Sequence, residues 1–166
     1  METTTTTLSN VAHDDAAAAA ASAMTVLLSA SAAAGKQIML VGPQMSYRTV
    51  AEACAIASVS ASEAHGVDVV VWPGEFTITD IVDIAPYVHV RPLVAPTTWD
   101  SVGDTAQYSV SIIVNGKGGF RLARNSKMSN FHIRYSGTPD SDSIDNCCLF
   151  PELVGNLYHC FIDTRA

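Results

Sequence analysis

The spacing of apolar positions along this chain changes character once. Val50, Ala53, Cys54, Ala57 and Ala61 recur at intervals of three and four, which places them on one stripe of an α-helix. That pattern predicts a helix over 46–64, with Ser46 as N-cap and Gly66 as the stop. Beyond it the helical period vanishes. Short apolar runs follow, and the predicted strands are Val67–Trp72, Phe76–Ile81, Tyr87–Val94, Ser109–Val114, Phe120–Ala123, Asn130–Tyr135, Cys147–Phe150 and Leu157–Ile162. Pro73-Gly74, Pro86, Pro96, Asn115-Gly116, Gly118-Gly119, Gly137-Thr138-Pro139 and Pro151 punctuate them. The fold class is therefore mainly β.

Within that body the apolar runs are often continuous rather than alternating. Val69-Val70-Val71-Trp72 suits a strand covered on both faces, not the one-sided strand of a sandwich. Comparable strands recur around Val90, Ile112, His132 and Leu149, at intervals of roughly 16 to 24 residues. That interval fits one turn of a parallel β-helix per repeat. A stack of such coils needs its first coil covered. The 46–64 helix stands immediately before the first strand, in the position of a cap.

Upstream, residues 1–10 form a polar Thr-rich arm, Glu2 followed by Thr3 to Thr7, expected to be flexible because it has no core to bury. Residues 11–34 read as an Ala-rich helix, capped at Asn10, with Asp14 and Asp15 in its first turn and Gly35 after its end. Its small side chains allow close helix packing, either on its own domain or against copies of itself. Ile38–Val41, closed by Gly42-Pro43, is a short strand or connector. The expected organisation is an arm at 1–10, an assembly or docking segment at 11–45, and a capped β-helix domain at 46–166.

Charge narrows the function. The net formal charge is -7, which argues against a general nucleic-acid binder. Five of the nine basic residues fall close together in sequence, Lys117, Arg121, Arg124, Lys127 and Arg134. They are the polar edges of strands or a patch that docks an acidic partner surface. The Ala16–Ala34 stretch is too weakly hydrophobic for a membrane span, and no secretory leader is visible. Cys54, Cys147, Cys148 and Cys160 show no C-x-x-C spacing, so free thiols are expected and no zinc site.

Two segments resemble a known superfamily. Tyr47-Arg48-Thr49-Val50-Ala51-Glu52-Ala53, followed by Val69-Val70-Val71-Trp72-Pro73-Gly74-Glu75-Phe76, resembles the N-terminal opening of the pectate-lyase-like right-handed parallel β-helix proteins. Val88-His89-Val90-Arg91-Pro92-Leu93 resembles their next coil, with Pro92 where Gly is usual. Phage tailspikes, tail fibres and other virion structural proteins carry this opening, and so do polysaccharide lyases and hydrolases. The resemblance implies a fold more firmly than a function.

Catalytic residues of such enzymes are not evident. Asp140, Asp142 and Asp145 lie in turn chemistry around Gly137-Thr138-Pro139 and lack the glycine and terminal Glu of an EF-hand loop. No acidic pair falls at coil spacing among the late strands, no Ser-His-Asp or Cys-His arrangement is apparent, and no phosphate-binding glycine motif is present. His132 and His159 are strand histidines. Trp72 reads as core, whereas Trp99, in a loop, is the candidate glycan contact. The expectation is a non-enzymatic virion component, from a bacteriophage, with no cofactor. It is a homotrimer that docks on other virion proteins as part of a tail fibre, tailspike or capsid decoration, with a host surface glycan as a further partner. The alternative is a carbohydrate-active lyase or hydrolase, or a glycan-binding module.

Overall fold

The computed structural model describes residues 35–96, 108–136, 150 and 152–163, together with 21, 22, 24–26 and 29. The arm at 1–10, Trp99, the acidic run from Asp140 to Asp145 and the predicted strand positions 147–149 lie outside the described residues. The described positions among 21–29 are helical.

The order of elements is β1 (Gln37–Val41), α1 (Val50–Ser60), β2 (Val67–Val71), β3 (Gly74–Ile78), β4 (Ile81–Ile84), β5 (Val88–Pro92), β6 (Val110–Val114), β7 (Gly119–Leu122), β8 (Lys127–Ser129), β9 (His132–Tyr135), β10 (Glu152–Leu153), β11 (Asn156–Tyr158) and β12 (Phe161–Asp163). The protein is mainly β, and its strands pair in parallel throughout. They form a five-stranded sheet β1-β2-β5-β8-β11, a four-stranded sheet β12-β9-β6-β3 and a three-stranded sheet β10-β7-β4. From β2 onward the chain visits the five-, four- and three-stranded sheets in that fixed rotation.

Register stacks like on like. Val69 pairs with Val90, Val90 with Met128, and Met128 with Leu157. In the four-stranded sheet the column is Phe76, Ile112, Ile133 and Ile162. Val82 pairs with Phe120 in the third sheet. All of these side chains but Ile162 meet in one core between the sheets, where Val69, Val90, Ile112, Phe120, Met128 and Ile133 are fully buried. Each fully buried side chain of this size contributes about 1.5–3 kcal/mol. α1 turns Val50, Ala53, Cys54 and Ala57 into the same core and packs on β4, β2 and β1.

The helix is shorter than its predicted span. Thr49, not Ser46, is the N-cap: its extended backbone lets its hydroxyl accept from the Glu52 N–H at 3.1 Å. Glu52 in turn accepts from the Arg48 N–H. At the other end Ala61 leaves the helical region.

Two predicted strands are pairs of strands in different sheets. Phe76–Ile81 splits at Thr79-Asp80 into β3 and β4, and Leu157–Ile162 splits at His159 into β11 and β12. The His159 corner works by a left-handed residue, φ 50°, in line with Asn130, φ 66°, at the corner between β8 and β9, the strands that pair with β11 and β12. β8 and β10 were not foreseen. β8 presents a single inward apolar side chain, Met128, between polar neighbours, too little for a run.

A second, smaller apolar cluster lies on the outer face of the five-stranded sheet. Val70 and Leu93 are buried there beneath Met24, Ile38, Leu40, Trp72 and Val94. Trp72 therefore belongs to this outer cluster and not to the main core. Gly42 is required beneath it, since a Cβ would stand 2.8 Å from the Trp72 Cβ. From β10 to β12, Leu153, Val154, Tyr158 and Ile162 are exposed, and these three strands have a partner strand on one side only among the described residues.

Candidate functional site

The outer face of the five-stranded sheet is apolar toward Trp72 and polar toward the strand starts. Asp68 on β2, His89 on β5 and Lys127 on β8 are register partners, so one side chain from each strand forms a row. Parallel strands stand about 4.8 Å apart, which brings such neighbours into contact range without any local motif. Arg91 and Ser129, two residues further along β5 and β8, project from the same face.

Asp68 is the hub. It is a buried carboxylate held by Arg91, whose Nε and Nη2 donate to one oxygen at 3.2 and 3.1 Å. His89 places Nδ1 3.9 Å from the other oxygen, and its Nε2 lies 2.9 Å from the Ser129 hydroxyl. Burial holds the His89 pKa below its ordinary value. Asp68 opposes that, while Arg91, Lys127 and Lys36 reinforce it. In the tautomer of a neutral His89 that carries its proton on Nδ1, facing Asp68, Nε2 accepts from the Ser129 O–H; in the other, Nε2 donates to that hydroxyl. Ser129, His89 and Asp68 thus stand in line. However, 3.9 Å is no hydrogen bond, and Asp68 is already committed to a guanidinium.

The row forms the floor of an open cleft of about 340 Å³. Its walls are Gly35 and Lys36 before β1, Ser62 and Glu63 after α1, and the corner residues Tyr87 and Asn125. Asn125 donates through Nδ2 to the Tyr87 hydroxyl at 3.4 Å.

No family model, curated protein or solved structure matches this chain. The site therefore rests on its own geometry.

The five basic residues picked out in the sequence are not brought onto one sheet. Lys127 is on the five-stranded sheet, Arg134 on β9 of the four-stranded sheet and Arg121 on β7 of the three-stranded sheet. Lys117 and Arg124 occupy the turns on either side of β7. Arg121 is also compensated, lying 2.8 Å from Asp83 and 3.6 Å from Glu152, its register partners above and below.

A ring cluster lies on the outer face of the four-stranded sheet. Tyr108, His132 and Phe161 stack with centroids 5.3 to 6.5 Å apart, all partly exposed. Ser111 approaches His132 Nδ1 at 3.4 Å, and the buried Nε2 atom of that ring has no hydrogen-bond partner. Burial, and then Arg134, lower the His132 pKa against the opposing pull of Asp163. Neither the polar row nor the ring cluster carries a motif, because each is assembled across neighbouring parallel strands. The only sequence signal is recurrence at coil spacing: Ser111 and His132 stand 21 residues apart. Among the described residues no cluster of His, Cys, Asp and Glu suits a metal, and no helix is long and apolar enough to cross a membrane.

Proposed function

We propose that the chain is a non-enzymatic virion structural protein of the bacteriophage kind: a short right-handed parallel β-helix, capped by α1, that assembles as a homotrimer and docks on a larger particle as tail fibre, tailspike or capsid decoration. The observation that carries this reading is the rotation of the chain through three parallel sheets with a helix over the first strands. Parallel crossovers are right-handed almost without exception, which supplies the hand. The Tyr47–Ala53 and Val69–Phe76 segments, which resemble the opening of the pectate-lyase-like β-helix proteins, fall on the start of α1 with its N-cap and on β2 to β3. The Ala-rich segment that precedes the sheets suits close association of helices between copies.

The test is the native mass of the purified protein, alone and with virus particles. A species three times 17.5 kDa that co-sediments with particles is expected. A monomer that binds no particle protein would overturn the proposal.

A glycan-binding module is the second reading, and the Tyr108, His132 and Phe161 cluster favours it, since aromatic faces beside polar groups suit sugar rings. Loss of binding on a glycan array in Tyr108→Ala and Phe161→Ala variants that retain their fold would support it. An array with no hits for the parent protein would remove it.

A further inference from the structure

We propose that the cleft over the Asp68–His89–Lys127 row binds a tetrahedral oxyanion, a phosphate or sulfate group, free or carried on a small polar molecule. The inference does not depend on the virion reading.

The argument begins with charge. Arg91 and Asp68 satisfy each other through two hydrogen bonds, so they add little net charge to the cleft. Lys36 and Lys127 line it and make no ion pair among the described residues, and Glu63 is the one other carboxylate in the lining. The local balance is positive, in a chain whose net charge is -7. A cationic pocket on an anionic surface concentrates field on an anion that enters it.

Geometry then selects the kind of anion. Lys36 reaches the cleft from the connector before β1, Lys127 from β8, and Tyr87 and Asn125 from the corner that precedes β5 and β8. The donors therefore converge from separate elements. Lysine ammonium groups act as point charges with several donor directions, which suits a tetrahedral acceptor. A planar carboxylate is best matched by the fork of an arginine, and Arg91 is already occupied by Asp68. The volume of about 340 Å³ admits a phosphate together with a small polar body.

His89 is the natural reporter. Groups from every neighbouring element face it: Asp68 on β2, Arg91 on its own strand, Lys127 and Ser129 on β8, and Lys36 before β1. An anion seated between the lysines offsets the cations that disfavour the imidazolium, so binding raises the His89 pKa. By linkage, affinity increases as pH falls through that titration.

The experiment is a side-chain NMR titration of His89, assigned by the signal lost in His89→Gln, at fixed ionic strength. Inorganic phosphate, glucose 6-phosphate, glucose and acetate are added in turn. Phosphate or glucose 6-phosphate should give a saturable His89 shift with millimolar affinity and a higher His89 pKa. Saturation by phosphate alone identifies a free-ion site, and tighter binding of the ester identifies a carried group. Lys127→Ala and Lys36→Ala, checked for unchanged thermal unfolding, should each weaken binding roughly tenfold, while Lys117→Ala should not. The proposal is overturned by no saturable shift up to about 50 mM, by equal binding of glucose or acetate, or by unchanged affinity in the double lysine variant.

Discussion

Asn125 lies beside Tyr87 at the corners that lead into the paired strands β8 and β5, and both adopt the left-handed backbone region, at φ 63° and 64°. The Tyr87 N–H donates to the Asn125 carbonyl at 3.1 Å, and the Tyr87 carbonyl accepts from the N–H of Val67, at the start of the neighbouring strand β2. The corner thus continues the hydrogen-bond ladder of the sheet it opens. Asn tolerates this conformation because its short polar side chain bonds locally. Asn125→Gly should leave the urea midpoint nearly unchanged, whereas Asn125→Val should cost about 1–2 kcal/mol. Equal midpoints for the two variants would refute the strain argument.

The Asp68–Arg91 pair makes a different prediction. Their side chains are 10% and 24% exposed. Removing one partner leaves the other poorly solvated, so Asp68→Ala should cost about 1–3 kcal/mol. Replacing both, as Asp68→Leu with Arg91→Met, should cost less than the sum of the single changes, because the desolvation of two charges is relieved at once. Chemical unfolding of the four proteins of this cycle measures the coupling. Strict additivity would show that the two side chains do not interact in solution.

Acid should weaken the fold through its histidines. His89 and His132 are both held below the ordinary value of 6.5, first by burial. The unfolded chain takes up protons near 6.5, while the folded chain resists them to lower pH. Stability is therefore full above that value, declines as pH falls through it, and levels off below the folded pKa. His89→Gln should flatten this decline in a series of unfolding curves between pH 7.5 and 4.5. The opposite slope, with stability rising on acidification in the parent but not in the variant, would contradict the burial argument.

Cys54 should be inert while the protein is folded. It is buried against the core on α1, and burial pushes its thiol up to about 12. A thiolate is the reactive form, so alkylation at neutral pH should be negligible. Cys160 is partly exposed, and its pKa is also raised by burial, so it should react slowly but measurably. Peptide mapping after brief iodoacetamide treatment should find label on Cys160 before Cys54, with Cys54 labelled only in denaturant.

The elements were legible where one residue class repeated within a short window. The stripe Val50, Ala53, Cys54 and Ala57 specified the buried face of α1, and Val67–Val71 specified a strand covered on both sides. Corners were harder to read. Tyr87, Asn125, Asn130 and His159 turn the chain with positive φ, yet only the asparagines are familiar turn formers. Where a corner consumes two polar residues, as at Thr79-Asp80, two strands read as one. The polar row was not legible, since Ser129 lies 40 residues beyond His89 and only register connects them. Trp72 looked interior because its strand is buried, but alternation turns it to the outside, where Val70 and Leu93 receive it.

The contacts of α1 make the strands unequal in how tightly they are held. Near α1 the first strands share their apolar neighbours with a helix, whereas β10 and β12 keep Leu153 and Ile162 at the surface. β2 and β5 are flanked by a parallel strand on each side and touched by α1, so they should open last. The amides of β11 and β12, each paired on one side only among the described residues, should exchange long before those of β2 and β5.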